Sequence, residues 1–235
     1  MDAEKTRDAL LLATLPHVMF DGWHWAAVRA GAADAGLSEA EAINAFPNGA
    51  EEALEHFSHW ADRRMLEELE KRDLESLRVR DKVALAVRTR LEILMPYKEA
   101  VRRGLSAFAL PQNSALGLKC LYRTVDAIWY VCGDTSTDYN FYTKRLLLAG
   151  VMSSTLMCWL DDTSEDHADT WAFLDRRIDE VLKIGGRLGK AMKSALDLPE
   201  RMLRMAPRRR KRGRGWPGTP PGSAGDSGSA PSAEG

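Results

Sequence analysis

Residues 114–132, SALGLKCLYRTVDAIWYVC, decide the fold. Leu118, Leu121, Val125, Ile128, Trp129 and Cys132 recur at spacings of three and four, which gathers them on one face of an α-helix, whereas a strand would alternate. Gly133 follows, where a left-handed C-cap wants a residue without a Cβ. The next block, residues 141–160, is apolar on more than one face through Leu146, Leu147, Leu148, Val151, Met152, Leu156, Met157 and Trp159. A helix of that kind must be buried in a core, in a dimer interface or around a ligand. The same spacing runs through most of the chain with few β-branched alternations, so the folded part is all-α.

Upstream, Val79, Val83, Val87, Leu91 and Leu94 predict a helix that ends at Met95-Pro96, because the residue before proline avoids the helical region. A shorter helix over residues 98–108 stops before Pro111. Ala53, Leu54, Phe57, Trp60, Ala61, Leu66 and Leu69 mark a long helix reaching about residue 75, opened by Asn48 with Glu51. Ser38 and Glu41 form a capping box at the start of a short helix that closes at Phe46-Pro47. Two helices precede it, one over residues 6–16 stopped by Pro16, the other after Gly22, Trp23 and Trp25 and closing before Gly36. Downstream, Asp161-Asp162-Thr163-Ser164 is a turn-and-cap cluster, followed by a helix carrying Trp171, Phe173, Leu174, Ile178, Val181 and Leu182. The segments expected are a head with its long connecting helix over 1–75, a larger helical domain over 76–184, a basic amphipathic segment over 185–212 and a disordered Gly, Pro and Ser tail over 213–235.

The 235 residues are 45% hydrophobic and 29% charged, the composition of an ordinary globular chain. Cys120, Cys132 and Cys158, without any Cys-x-x-Cys, exclude a disulfide framework and read as small buried residues in a reducing compartment. No apolar run approaches the ~20 residues that cross a bilayer. Met1-Asp2-Ala3-Glu4 is acidic where a leader would be basic, so the expected location is the bacterial cytoplasm, peripheral to the inner membrane, with a processed mitochondrial matrix protein as the alternative. The formal net charge of −1 hides an asymmetry: residues 187–214 hold eleven Lys or Arg against Asp197 and Glu200, and the remainder is acidic.

Catalytic signatures are missing. His56 and His59 share a helical face with Glu52 a turn earlier, yet no histidine follows a Glu-x-x spacing of the di-iron kind. The P-loop, dinucleotide and His-Glu-x-x-His patterns are absent too. No catalytic residue, metal or cofactor is therefore assigned, and the bland reading of both histidines is the polar rim of an amphipathic helix.

Three short helices ahead of a long fourth look like the helix-turn-helix head of the TetR regulators, with residues 38–46 as recognition helix. That segment offers Glu39 and Glu41 and no cation, and residues 1–60 hold Lys5, Arg7 and Arg29 against ten acids. Phosphate contacts carry most of the affinity for DNA, so specific DNA binding is not expected. At the other end, Ile184, Leu188, Met192 and Leu196 recur at helical spacing beside Arg187, Lys190 and Lys193, as in a helix lying in a membrane interface. A helix packed on its own domain, or a tail for nucleic acid, would fit the same pattern.

The run GDTSTDYNFYTKR from Gly133, preceded by Asp126-Ala127-Ile128-Trp129, is the most individual stretch of the chain. With Asp161-Asp162-Thr163-Ser164, Thr170-Trp171-Ala172-Phe173-Leu174, Arg177-Ile178 and the upstream Phe46-Pro47-Asn48-Gly49, it resembles the coenzyme Q biosynthesis protein nine family over about residues 7–186. The resemblance implies a TetR-like homodimer that binds an isoprenoid or quinone lipid. It also implies presentation of a polyprenyl quinone precursor to the membrane-bound di-iron hydroxylase of ubiquinone synthesis, and docking on the bilayer by a terminal amphipathic helix. On this reading Leu121, Val125, Leu147, Val151, Met152 and Leu156 line the lipid pocket, although periodicity would serve equally for core or dimer contacts. The hydroxylase-binding patch carried over from the motif is Ile128, Asp138, Phe141 and Tyr142, with Phe141 standing where Trp is frequent; a capped helix start packed by its own aromatics is the alternative.

Overall fold

A computed structural model describes residues 3–133 and 139–196, with side chains placed for all of these except 139, 140 and 184–196. Among the described residues there are nine α-helices and no strand. Residues Met1–Lys193 form one compact unit; a second, Ser194–Gly235, lies outside the described residues from 197 onward. The expected tail over 213–235, and residues 197–212 of the expected docking segment, fall there.

The head is α1 (Ala3–Asp21), α2 (Trp25–Asp34) and α3 (Glu39–Ala45). Pro16 does not stop α1, which continues a further turn and buries Val18 completely. Interior proline costs ~3 kcal/mol in an isolated helix, and the burial of Leu15 and Val18 against the head offsets it. α1 and α2 cross so closely that a Cβ on Gly31 would stand 2.5 Å from Thr14 Oγ1, so only glycine fits the crossing. α2 ends in a Schellman turn: Leu37 N–H donates to Ala32 O at 2.8 Å and Gly36, at φ 69°, donates to Ala33 O at 3.1 Å. The capping box of α3 forms as the sequence leads one to expect, Ser38 Oγ accepting from Glu41 N–H at 3.3 Å and Ser38 N–H donating to Glu41 Oε2 at 2.8 Å.

α4 (Ala50–Glu70) is the shared spine. Its N-cap is Gly49 rather than Asn48, whose N–H and side-chain amide both donate to Glu52 Oε2, at 3.0 and 3.2 Å. Ala53, Leu54, Phe57, Trp60, Ala61, Met65 and Leu69 are buried along it. α5 (Val79–Leu94) comes next, then a 3-10 turn at Met95–Tyr97, α6 (Lys98–Phe108), α7 (Ser114–Val131), α8 (Tyr139–Asp161), a second turn at Glu165–His167 and α9 (Ala168–Leu196). The expected boundary at 75/76 lies in the link between α4 and α5, but the head is fastened to the helices beyond that link: Trp23 Nε1 donates to Ala100 O of α6 at 3.0 Å. Asp162 caps α9, accepting from Ser164 N–H at 2.7 Å and Thr170 N–H at 2.9 Å. Its burial opposes ionisation, and these hydrogen bonds outweigh it, holding the carboxyl well below its usual range.

α8 buries Leu148, Val151, Met152, Trp159 and Leu160 but leaves Tyr142, Leu146 and Met157 exposed. Cys120 and Cys132 are buried and Cys158 is half-buried, all three as free thiols.

Candidate functional site

α4, α5, α6, α7 and α8 enclose a cavity of about 470 Å3. Leu54 and Phe57 come from α4, Leu94 from α5, Val101, Leu105 and Phe108 from α6, Leu121 from α7, Met152 and Leu156 from α8. The walls are apolar because each of these helices turns its i, i+3, i+4 stripe inward. Gly104 and Gly117 let the helices close on it: a Cβ at 104 would stand 2.9 Å from Leu54 Cδ1, and one at 117 would stand 2.9 Å from Phe108 Cβ. The exposed rim carries Leu118 and Met157, 67% and 57% accessible, together with Ser114 and Ser153.

The buried end carries the charge. Arg90 is the one charged side chain among the described lining residues, and Ser58, Cys120 and Thr124 stand with it. Arg90 Nε donates to Asp62 Oδ1 at 2.8 Å, and Thr124 Oγ1 donates to the same oxygen at 2.8 Å. Arg90 Nη2 reaches Ser58 Oγ at 3.3 Å. Arg123 Nε lies 3.5 Å from Asp62 Oδ2 on the far side. Burial pushes the Cys120 thiol up, so it is a neutral wall residue rather than a nucleophile.

A second recess, of about 490 Å3, is lined by Glu4, Arg7, Glu52, Glu55, His56, His59 and Arg123 between α1, α4 and α7. Its charges are paired: Arg7 with Glu52 at 2.9 Å, Lys119 with Glu55 at 2.7 Å, and His56 Nε2 with Asp8 Oδ1 at 2.7 Å. Burial lowers the pKa of both His56 and His59; the neighbouring arginines add to this, and Asp8 opposes it for His56. No group of three His, Cys, Asp or Glu able to hold a metal ion occurs among the described residues.

The sequence-derived pocket residues divide. Leu121, Met152 and Leu156 line the cavity; Val125 and Val151 are buried in packed core, and Leu147 is half-buried outside the lining. Of the proposed partner patch, Tyr142 is 69% exposed, its ring edge-on to Phe141 at 5.2 Å, while Phe141 is half-buried under the Arg145 guanidinium. Ile128 is fully buried, because the face it shares with Leu121 and Val125 turns into the core. Asp138 lies outside the described residues. Ile184, Arg187, Leu188, Lys190, Met192, Lys193 and Leu196 fall on α9, their side chains outside the described set. Arg90, Ser58 and Thr124 carry no sequence signal beyond a lone Arg on the inner stripe of α5.

Residues 114–185, which contribute α7 and α8 to the cavity, match the COQ9 family. In this stretch the chain is similar to a COQ9 domain. The chain is 36% identical to the mitochondrial ubiquinone biosynthesis protein COQ9 of Rattus norvegicus over 189 residues, covering 77% of this chain and 60% of the relative. It is 34% identical to the human protein of that name, covering 77% and 59%, and 35% identical to that of Drosophila melanogaster, covering 76% and 56%. The chain thus spans about 60% of the length of such relatives. In fold it is similar to a TetR transcriptional regulator from Nitrosomonas europaea, with a TM-score of 0.63 at 20% identity, over 76% of this chain and 98% of that one. The fold is TetR-like and all-α. These relatives are mitochondrial proteins, a finding that overturns the expected bacterial location at the inner membrane. That expectation rested on an acidic start, and acid at residues 2 and 4 is compatible with either compartment.

Proposed function

We propose that this chain is a non-catalytic, lipid-binding accessory protein of ubiquinone biosynthesis that presents a polyprenyl quinone precursor at a membrane surface to a ring hydroxylase. The observation that carries this reading is the five-helix apolar cavity, two of whose walls lie in the stretch similar to COQ9. A polyprenyl chain loses ~0.8 kcal/mol per methylene on moving into water, so its transfer needs a continuous apolar path. The cavity supplies walls for that path, and the amphipathic pattern of residues 184–196 supplies the means of joining it to a bilayer. A homodimer would cover Leu146, 75% exposed on α8. Tyr142, with Phe141 and Asp138 beside it in sequence, is the proposed contact for the hydroxylase.

The TetR-like fold would also suit a ligand-responsive regulator, as the similar Nitrosomonas structure is titled. The acidic α3, with Glu39 and Glu41 exposed, speaks against it. Quinone profiling by liquid chromatography and mass spectrometry tests the accessory reading: loss of the gene should lower ubiquinone and accumulate a precursor lacking one ring hydroxylation, reversed by complementation. An unchanged profile, or sequence-specific duplex binding that persists without residues 197–235, would overturn it.

A further inference from the structure

Two consecutive cations in the second turn of α8 reach back to α7. Lys144 Nζ stands 5.5 Å from the centre of the Trp129 ring, and Arg145 Nε and Nη2 both donate to Asp126 Oδ1, at 2.8 and 2.6 Å. The Arg145 side chain is only 8% accessible, against 49% for Asp126. Burying a guanidinium costs desolvation that an apolar side chain of similar volume would not incur, so pairing with a half-exposed carboxylate is a poor reason to place one here. The other contacts of Arg145 are more telling. Its Cζ lies 3.3 Å from the centre of the Phe141 ring, and its Nη1 donates to Phe141 O at 3.4 Å. Arg145 therefore holds Phe141 by ring and by backbone at once. Tyr142 packs edge-on against the held ring, 5.2 Å away at 77°, and projects outward, 69% exposed.

We infer that Arg145 is a positioning residue for the partner-facing patch: fixed by Asp126, it clamps Phe141 as a floor and so sets the direction in which Tyr142 is offered to the hydroxylase. The inference rests on the accessory reading above and adds Arg145 and Asp126 to the residues that build the contact. Arginine suits the task because its fork gives two N–H groups to one carboxylate while its flat face stays free to cover a ring. A lysine ammonium could pair with Asp126 but has no such face. The lipid cavity takes its α8 lining from residues 152–157, at the opposite end of the helix, so the clamp and the cavity are separable.

Cells lacking the gene and complemented with variants at native expression test the clamp through the ratio of the precursor lacking one ring hydroxylation to ubiquinone. Arg145→Lys should raise that ratio about fivefold, the scale of one lost cation–ring contact, while the lipid extracted from the purified full chain is unchanged. Tyr142→Ala should raise it too, and the double variant should be no worse than the worse single, because both changes break one chain of contacts. Phe141→Leu keeps the Asp126 pair and removes the clamped ring; it should match Arg145→Lys, and it decides the matter if the lysine variant fails to fold. An unchanged ratio in these variants, or effects that multiply in the double variant, overturns the positioning role and leaves the accessory reading standing. A rise matched by an equal loss of extracted lipid marks general loss of structure and overturns it as well. An unchanged ratio on deleting the gene overturns the accessory reading, and the positioning role with it.

Discussion

Two recesses of nearly equal volume flank α4, about 470 Å3 on one side and about 490 Å3 on the other, and they differ in everything but size. The first has apolar walls that water cannot satisfy. The second is lined by carboxylates, arginines and histidines that largely pair with one another or face solvent. Lining rather than volume therefore separates a lipid site from a solvated ion-pair network, and Asp62, near Arg90 on one side and Arg123 on the other, stands between them.

The contrast is sharpest in stability. Asp62→Ala strands Arg90 in a buried site and removes the acceptor of Thr124, which should cost ~3–5 kcal/mol in urea unfolding. Leu156→Trp places an indole in the apolar recess; lipid recovered with the purified protein should fall about tenfold, equivalent to ~1.4 kcal/mol, with the helical signal retained. In the charged recess, Glu52→Ala removes the partner of Arg7 and the acceptor of Asn48 at the start of α4, and because these groups are at least partly exposed the loss should stay near ~1 kcal/mol, with lipid capture unchanged. An equal effect of Glu52→Ala and Leu156→Trp on lipid capture would break the distinction.

The smallest effect concerns pH. His56 and His59 are held below their ordinary 6.5 by burial, so between the folded-state value and 6.5 the unfolded chain binds more protons than the folded one. The stability they secure is complete above pH 6.5 and declines as pH falls below it. Urea midpoints measured from pH 7.5 to 5 should show this slope, and a His56→Gln, His59→Gln variant should flatten it.

Local features of the fold were legible because their causes are local. Ser38 and Glu41 lie three residues apart and the capping box forms between them; Val79 to Leu94 carry an unbroken stripe and α5 has those bounds. Pro16 misled because the burial of Val18, decided by the packing of the head, outweighs a local penalty. Of the pocket candidates, Val125 and Met152 both turn inward, but only packing shows that Met152 lines the cavity while Val125 is buried in packed core. The polar end was illegible for a similar reason: Asp62, Arg90 and Thr124 come from three helices, and no spacing in the sequence announces that they meet.

Lipid presentation requires that the apolar recess carry a quinone-precursor lipid. Its most direct measurement is mass spectrometry of solvent extracts from the purified full chain beside Leu156→Trp, both produced in cells that make ubiquinone. A polyprenylated aromatic compound should come in stoichiometric amount from the unaltered chain, and about a tenth as much from the variant. The same lipids in the same amounts from both proteins, or no prenylated compound from either, would contradict it.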